Sequence, residues 1–184
     1  IDQAQAIDSS NGDSLWNQAI TKEMTNVKVA FEILKKNEAI PDGWTRSSGH
    51  LVFDVKMDFT RKALWVKDGH KTPNPIWSTY AGVVSRENIR IPLTYAALND
   101  ITVMAAYIQN AYIQAPASEQ HYVICGAEFG LENIGKTALI RRALYGGKSS
   151  GSDFWRHLRS CMKFLGFTSS EGDAEVWRRK ARKD

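Results

Sequence analysis

Cysteine is scarce in this sequence. Its 184 residues contain two cysteines and no CxxC pair, so no zinc module is predicted and a reduced intracellular setting is the simplest interpretation. His121 and Cys125 are four residues apart, but their segment has a strand pattern, where that spacing is more typical of packing than of metal binding. We therefore predict no metal site in this chain.

Long apolar runs are also missing. No run approaches the roughly 18 residues needed to cross a bilayer. Residues 1–12 are polar, lack the basic and apolar regions of a signal peptide, and are interpreted as a loose leader. These absences predict an intracellular protein, cytoplasmic or nuclear, without a membrane partner. The chain starts at Ile1 rather than Met, as expected of a processed or excised piece.

Positive charge is gathered near the carboxyl end. The chain has a formal charge of +4, and from residue 155 onward eight basic residues face four acidic ones, so this stretch holds the whole excess. A nucleic-acid backbone is one natural partner for such a stretch, and a solvated terminus is the alternative. Residues 179–184 are interpreted as a basic tail that follows a domain at 13–178.

Apolar periodicity predicts a mixture of helices and strands. One helix is expected after a cap at Asp13, a second after Ser85 with Pro92 inside it, and the clearest after Ser149 or Ser150. The elements lack regular βαβ spacing, which favours an α+β fold of about three helices, one antiparallel hairpin and short strands. The predicted helices are 13–26, 85–98 and 149–165, and the predicted strands are 27–33, 51–57, 62–67, 101–108, 122–125, 137–140 and 175–178.

Basic residues lie at and after the tip of the predicted hairpin and again near the end of the chain. Such positions suit contacts with a phosphate backbone, because each cation that neutralises a phosphate releases a counterion. The nucleic-acid-binding residues predicted in this way are Lys56, Arg61, Lys67, Arg178 and Arg179.

The stretch Gly130–Thr137 fits GxxxxGK[ST], the phosphate-binding loop of nucleoside triphosphatases, in which Lys136 would meet phosphates. That loop should directly follow a buried strand, yet four residues intervene after Cys125, and only 47 residues follow Thr137. A surface loop that leads into a strand is therefore preferred. A P-loop nucleotide-binding protein remains an alternative.

Three segments occur in the order of known polymerase motifs. Residues 62–70 read KALWVKDGH, residues 107–112 read YIQNAY, and residues 143–149 read ALYGGKS. They resemble the fingers stretch, the first palm motif and the ALYG motif of copia-type retrotransposon reverse transcriptases. Two further fits, at residues 16–23 and 165–173, extend the resemblance over nearly all of the chain.

The resemblance implies the fingers and front palm of a right-hand RNA-directed DNA polymerase, a nucleotidyltransferase. In that family, carboxylates hold Mg²⁺ ions that activate the primer hydroxyl and stabilise the departing pyrophosphate. A primed RNA or DNA template is the implied partner. Tyr112 would stack under the incoming sugar, Lys62 and Lys148 would meet phosphates, and Gly146 would allow close approach to a nucleotide. The alternatives are an ordinary packed tyrosine and solvated lysines.

Three departures from the family pattern remove chemistry. Tyr107 stands where the first palm motif has its metal-binding Asp, and Leu64 stands where a fingers Arg would meet triphosphate. No Asp-Asp pair occurs in the chain, so the second carboxylate site is missing. We therefore expect a truncated or degenerate transposable-element polymerase with no intact catalytic residue and no cofactor of its own.

Other possibilities stay open at this point. A missing back-palm region or other polyprotein segments are possible partners of such a piece. A non-catalytic nucleic-acid-binding module is the main alternative function. A marginally stable piece without a selected function is a third possibility, and it would expose the apolar residues 101–108.

Overall fold

The computed structural model describes residues 1–180 and has a mixed α+β fold, as predicted. The α-helices are α1 (Asp2–Asn11), α2 (Leu15–Val27), α3 (Arg86–Leu98), α4 (Ala111–Gln114) and α5 (Ser150–Phe164). The strands are β1 (Phe31–Ile33), β2 (Thr45–Arg46), β3 (Gly49–Val55), β4 (Arg61–Lys67), β5 (His121–Ile124), β6 (Thr137–Ile140), β7 (Thr168–Ser169) and β8 (Trp177–Arg178). Residues 181–184 of the predicted basic tail lie outside the described residues.

The structure corrects the interpretation of residues 1–12 as a loose leader, because ten of them form α1. Asp8 explains why this polar segment is ordered. Its buried carboxylate accepts the backbone N–H groups of Trp16 (3.0 Å) and Asn17 (2.9 Å), which are otherwise unpaired at the start of α2. Burial opposes these hydrogen bonds, but together they lower the pKa of Asp8. With the single-turn α4, the described residues have five helices rather than about three.

Two predicted strands are also corrected. Helix α2 continues to Val27, so only the last three residues of the predicted strand 27–33 are extended. Residues 101–108 contain no strand, and their side chains are exposed. Their apolar composition alone does not form a strand, because a strand needs a neighbour to pair its backbone groups.

The strands form one four-stranded sheet and two small pairs. In the main sheet the order is β1-β6-β5-β2, with β5 and β2 parallel and the other neighbours antiparallel. The hairpin β3–β4 is separate and pairs seven residues in register, from Gly49 with Lys67 to Val55 with Arg61. Strands β7 and β8 form the third pair.

The core lies between the main sheet, α2 and the hairpin. Trp65 is 1% exposed and packs edge-on against Phe31 at a centroid distance of 5.0 Å, and Phe129 meets Phe31 in the same way at 4.9 Å. A second cluster joins α1 and α2 to the hairpin, where Trp16 meets Phe53 edge-on at 5.4 Å. The hairpin is therefore held by aromatic packing at its base.

The stretch from residue 76 to residue 108 is poorly covered. Helix α3 begins at the predicted cap, where Ser85 Oγ accepts the N–H of Asn88 at 3.2 Å, but Ala96 is its one buried residue. The accessible surface of the chain is 13081 Å², whereas a globular protein of this mass exposes about 8,900 Å². Several large apolar side chains of residues 76–108 contribute to this exposed surface, among them Ile76, Val83 and Leu98. No helix within residues 1–180 has the length and apolar character that crossing a membrane requires.

Candidate functional site

Three of the segments that carry the resemblance contact one another in the folded chain. The backbone N–H of Lys67 donates to the carbonyl of Tyr145 at 2.8 Å, which joins residues 62–70 to residues 143–149. A Cβ on Gly69 would lie 2.1 Å from the carbonyl oxygen of Gly146. The Tyr112 ring meets the Tyr145 ring edge-on at 4.8 Å and adds residues 107–112. We call this meeting point, formed by Lys67, Gly69, Tyr112, Tyr145 and Gly146, the motif junction.

The two flanking segments also make contacts within the chain, the first with β4 and the second with α3. Glu23, at the end of residues 16–23, accepts the backbone N–H of Trp65 on β4 at 3.0 Å. Burial of that carboxyl outweighs this hydrogen bond and raises the pKa of Glu23. Asp173 accepts the side-chain amide of Asn88 at 2.6 Å and thereby fastens the start of α3. All five segments that carry the resemblance thus make defined contacts within the described residues.

Lys67 is buried, so its side chain cannot make the surface contact with nucleic acid that was predicted for it. Its side chain is 4% exposed, and its Nζ lies 2.7 Å from His121 Nδ1 and 3.6 Å from Glu119 Oε2. Burial lowers the pKa of Lys67, and the Glu119 carboxylate limits that decrease. Burial and the Lys67 charge together lower the pKa of His121, so its neutral imidazole accepts a hydrogen bond from the Lys67 ammonium. The cluster is therefore an internal support of the hairpin.

The same cluster fixes the start of α5. Glu119 accepts the backbone N–H of Ser149 at 3.4 Å, and Asp153 accepts that of Ser118 at 3.1 Å. Asp153 is buried and also pairs with Arg156. These carboxylates occupy the positive end of α5, a position where negative charge is stabilised by the helix dipole. Local sequence patterns do not predict the contact of Glu119 with Ser149 or that of Asp153 with Ser118, since the partners are 30 and 35 residues apart.

Asp68 fastens the end of the hairpin. Its side chain is 6% exposed and accepts from Ser48 Oγ at 2.6 Å, from His50 Nδ1 at 2.8 Å and from Lys71 Nζ at 2.9 Å. The Ser48 and Lys71 hydrogen bonds lower the pKa of Asp68 to about 2. The carboxylate is therefore ionised near neutral pH and holds β3, β4 and the turn after β4 together.

Two predicted nucleotide-binding residues have structural contacts instead of open space around them. A Cβ on Gly146 would lie 2.1 Å from the Lys67 carbonyl oxygen, so the close approach that Gly146 permits is to β4 and not to a nucleotide. Its φ of 81° also requires glycine. Lys148 Nζ donates to the Thr72 carbonyl at 2.7 Å and to Asn74 Oδ1 at 3.0 Å. Lys148 also lines a shallow cavity of about 500 Å³ together with Trp77.

Tyr112 and Tyr107 lie in different surroundings. Tyr112 is half-buried in α4, between the Tyr145 ring and the Phe154 ring at 6.3 Å. Tyr107 is 86% exposed in a segment without regular structure. Burial, with the Tyr107 and Tyr112 phenols nearby, raises the pKa of Tyr145. Packing among aromatic rings therefore accounts for the position of Tyr112.

The hairpin keeps some of its predicted surface cations. Lys56 and Lys62 are exposed. The Arg61 guanidinium lies 5.5 Å from the centroid of the Trp16 ring and donates to the Phe59 carbonyl at 2.9 Å. Arg61 is thus partly engaged within the chain.

Two of the predicted cations, Arg178 and Arg179, are exposed near the end of the described chain. Arg178 lies on β8, and the Arg179 guanidinium lies 4.8 Å from the centroid of the Phe167 ring. Arg179 also donates to the Leu165 carbonyl at 3.3 Å. Both cations remain at the surface, where a phosphate backbone can reach them.

The structure corrects the P-loop alternative. In that loop a helix follows the GK[ST] residues, so that backbone N–H groups point at the phosphates. Here Thr137 begins strand β6, and Lys136 Nζ donates to Asn133 Oδ1 at 3.0 Å. A surface loop that leads into a strand, the preferred prediction, is what the structure contains.

The side chain at the metal-binding position that the resemblance implies does not suit Mg²⁺. The phenol of Tyr107 is a neutral ligand where a carboxylate would be required, because Mg²⁺ prefers hard anionic oxygens. Leu64 lies on β4 opposite Val52 and offers no charge to a phosphate. Within residues 1–180, no three His, Cys, Asp or Glu side chains are grouped closely enough to hold a metal ion.

Comparison of the chain with models of known protein families, with curated proteins and with solved structures finds no match.

Proposed function

We propose that this chain is a degenerate, retrotransposon-type reverse-transcriptase piece, made of fingers and front palm, that binds primed nucleic acid without polymerising it. The observation that carries this proposal is the motif junction. Segments that were 30 or more residues apart in sequence, and that resemble polymerase motifs in the correct order, lie in direct contact. A chance resemblance of short motifs gives no reason for such contacts.

The proposed lack of polymerase activity rests on residues within the chain. Phosphoryl transfer by this family requires two metal ions held by carboxylates. Tyr107 replaces one of these carboxylates and is highly exposed, and Leu64 removes a cation that would meet the triphosphate. The remaining surface still suits a nucleic acid, since Lys56, Lys62 and Arg178 are all exposed cations.

Two assays on one preparation test the proposal. A labelled primed template is first titrated with the purified 184-residue chain at low salt, and binding is expected. The same complex is then given deoxynucleotides and Mg²⁺, and no primer extension is expected. Extension that disappears after heat denaturation of the chain would refute the proposed inactivity, and absence of binding would refute the proposed partner.

A charge-reversal pair locates the bound surface. Lys62→Glu on the hairpin is expected to weaken binding about 5- to 10-fold, because it replaces one phosphate contact by a repulsive charge. Lys36→Glu is the matched control, since Lys36 is an equally exposed lysine in the turn after β1. Equal effects of the two variants would mean that binding depends on net charge alone and not on the hairpin.

A further inference from the structure

The tip of the β3–β4 hairpin, residues 56–60, is tightly defined. Lys56 N–H donates to the Thr60 carbonyl at 3.0 Å, and Phe59 N–H donates to the Lys56 carbonyl at 2.9 Å. The Asp58 carboxylate accepts the Thr60 N–H at 3.0 Å. These hydrogen bonds close the turn directly after the Val55–Arg61 pair, so the backbone of the tip has a defined conformation.

Phe59 is an unusual residue for its position. Its φ is 61°, in the left-handed region that bulky residues rarely adopt and that hairpin turns normally assign to Gly or Asn. Its side chain is 79% exposed, so packing within the chain does not compensate for the strain. Backbone strain that no packing within the chain offsets is typical of residues that serve a binding function. Met57 beside it is fully exposed and extends the apolar surface.

The charges around this apolar tip are mixed. Lys56 and Lys62 are exposed and Arg61 is partly engaged, while Asp54 and Asp58 lie close by in sequence. Three cations against two carboxylates attract a polyanion only weakly. The tip therefore offers an aromatic face and modest positive charge, and its main contribution to binding must come from the ring.

We propose that Phe59 stacks on an unpaired nucleobase of single-stranded template. Aromatic side chains beside cations are the usual platform for single-stranded nucleic acid, because every base has an apolar face and the strand carries phosphates nearby. This inference rests on the proposed function, since it names the part of the nucleic acid that the hairpin recognises. Lys56 and Lys62 would meet the phosphates that flank the stacked base.

A lipid membrane is the other surface that the exposed Met57 and Phe59 side chains could contact. Asp58 argues against it, since this carboxylate sits between the two apolar residues. The hydrogen bond from Thr60 lowers the pKa of Asp58, so the group stays ionised at neutral pH. Inserting the tip into hydrocarbon would bury that charge, which is costly. A base stacked on Phe59 leaves Asp58 in water.

The experiment uses the whole chain and a primed DNA template with a single-stranded overhang that carries 2-aminopurine. Affinity is measured by fluorescence anisotropy, and stacking by the 2-aminopurine intensity. Phe59→Ala is expected to weaken binding about 5- to 150-fold, the range for loss of one base–aromatic stack. Phe59→Trp is expected to keep the affinity and the fluorescence change. Phe164→Ala is the control, since Phe164 is 91% exposed at the end of α5.

The outcomes separate this inference from the proposed function. If the wild-type chain binds the primed template and Phe59→Ala binds equally well, the stacking role is wrong while nucleic-acid binding stands. If the wild-type chain fails to bind at low salt, both are wrong. Binding of anionic vesicles that is lost in Phe59→Ala, without an effect on DNA affinity, would assign the tip to membranes and overturn the inference.

Discussion

The replacement Asp68→Asn should destabilise the chain by an amount that depends on pH. The pKa of Asp68 falls from an ordinary 3.8 to about 2, and this difference corresponds to about 2.4 kcal/mol at most. Two of its partners, His50 and Lys71, have side chains that are 58% and 60% exposed, so solvent screens part of the interaction. We therefore expect a loss of about 1–2 kcal/mol in the free energy of unfolding at pH 7.

The sign of the pH dependence follows from the direction of the shift. Because the folded-state pKa is lowered, the stabilisation is complete above the unfolded value near 3.8 and is lost as the pH falls towards 2. Urea unfolding followed by Trp fluorescence should show a difference between wild type and Asp68→Asn that is constant from pH 5 to 7 and shrinks below pH 3.8. Asp54→Asn is the control, because Asp54 accepts a hydrogen bond only from the adjacent Val55 N–H among the described residues. A difference that stays the same at pH 3 would refute the reasoning.

Three further predictions concern the motif junction and the missing carboxylate. Glu119→Gln removes the carboxylate paired with the buried Lys67 ammonium and should lower the free energy of unfolding by about 3 kcal/mol. Adding Lys67→Met to this variant should restore more than half of that loss. Urea melts in which the effects of the two substitutions simply add would contradict this. Gly146→Ala should lower the free energy of unfolding by about 3 kcal/mol. Gly12→Ala, with a similar φ of 69° but open space around its Cβ, should lower it by about 1 kcal/mol. Equal losses would contradict the close contact of Gly146 with the Lys67 carbonyl. Tyr107→Asp should not restore primer extension, because the chain has no Asp-Asp pair; measurable extension would show that the missing site lies elsewhere in the sequence.

Sequence patterns correctly predicted those helices and strands that depend on residues close together in the chain. The alternation on either side of the tip identified the hairpin, and the apolar run 137–140 coincides with β6. Ser85 marked the start of α3 because its hydroxyl caps that helix directly. Each of these signals lies within a few residues of the structure it specifies.

Contacts between residues far apart in the sequence account for the predictions that were wrong. Lys67 ends a strand, where a basic side chain normally reaches water, and its burial depends on Glu119 and His121, more than 50 residues away. Helix α1 is ordered by a capping contact from Asp8 to another helix, which its polar composition does not reveal. Residues 101–108 have the apolar composition of a strand but lack a neighbouring strand within residues 1–180. Sequence periodicity describes one segment at a time and cannot supply these partners.

The most direct test of the central claim is the salt dependence of binding to a primed template. Four of the exposed cations, Lys56, Lys62, Arg178 and Arg179, allow about two to four phosphate contacts. Affinity should therefore fall about 10- to 100-fold between roughly 50 and 200 mM salt, while Mg²⁺ and deoxynucleotides yield no extended primer. An affinity that does not change with salt, or primer extension by the folded chain, would contradict the account.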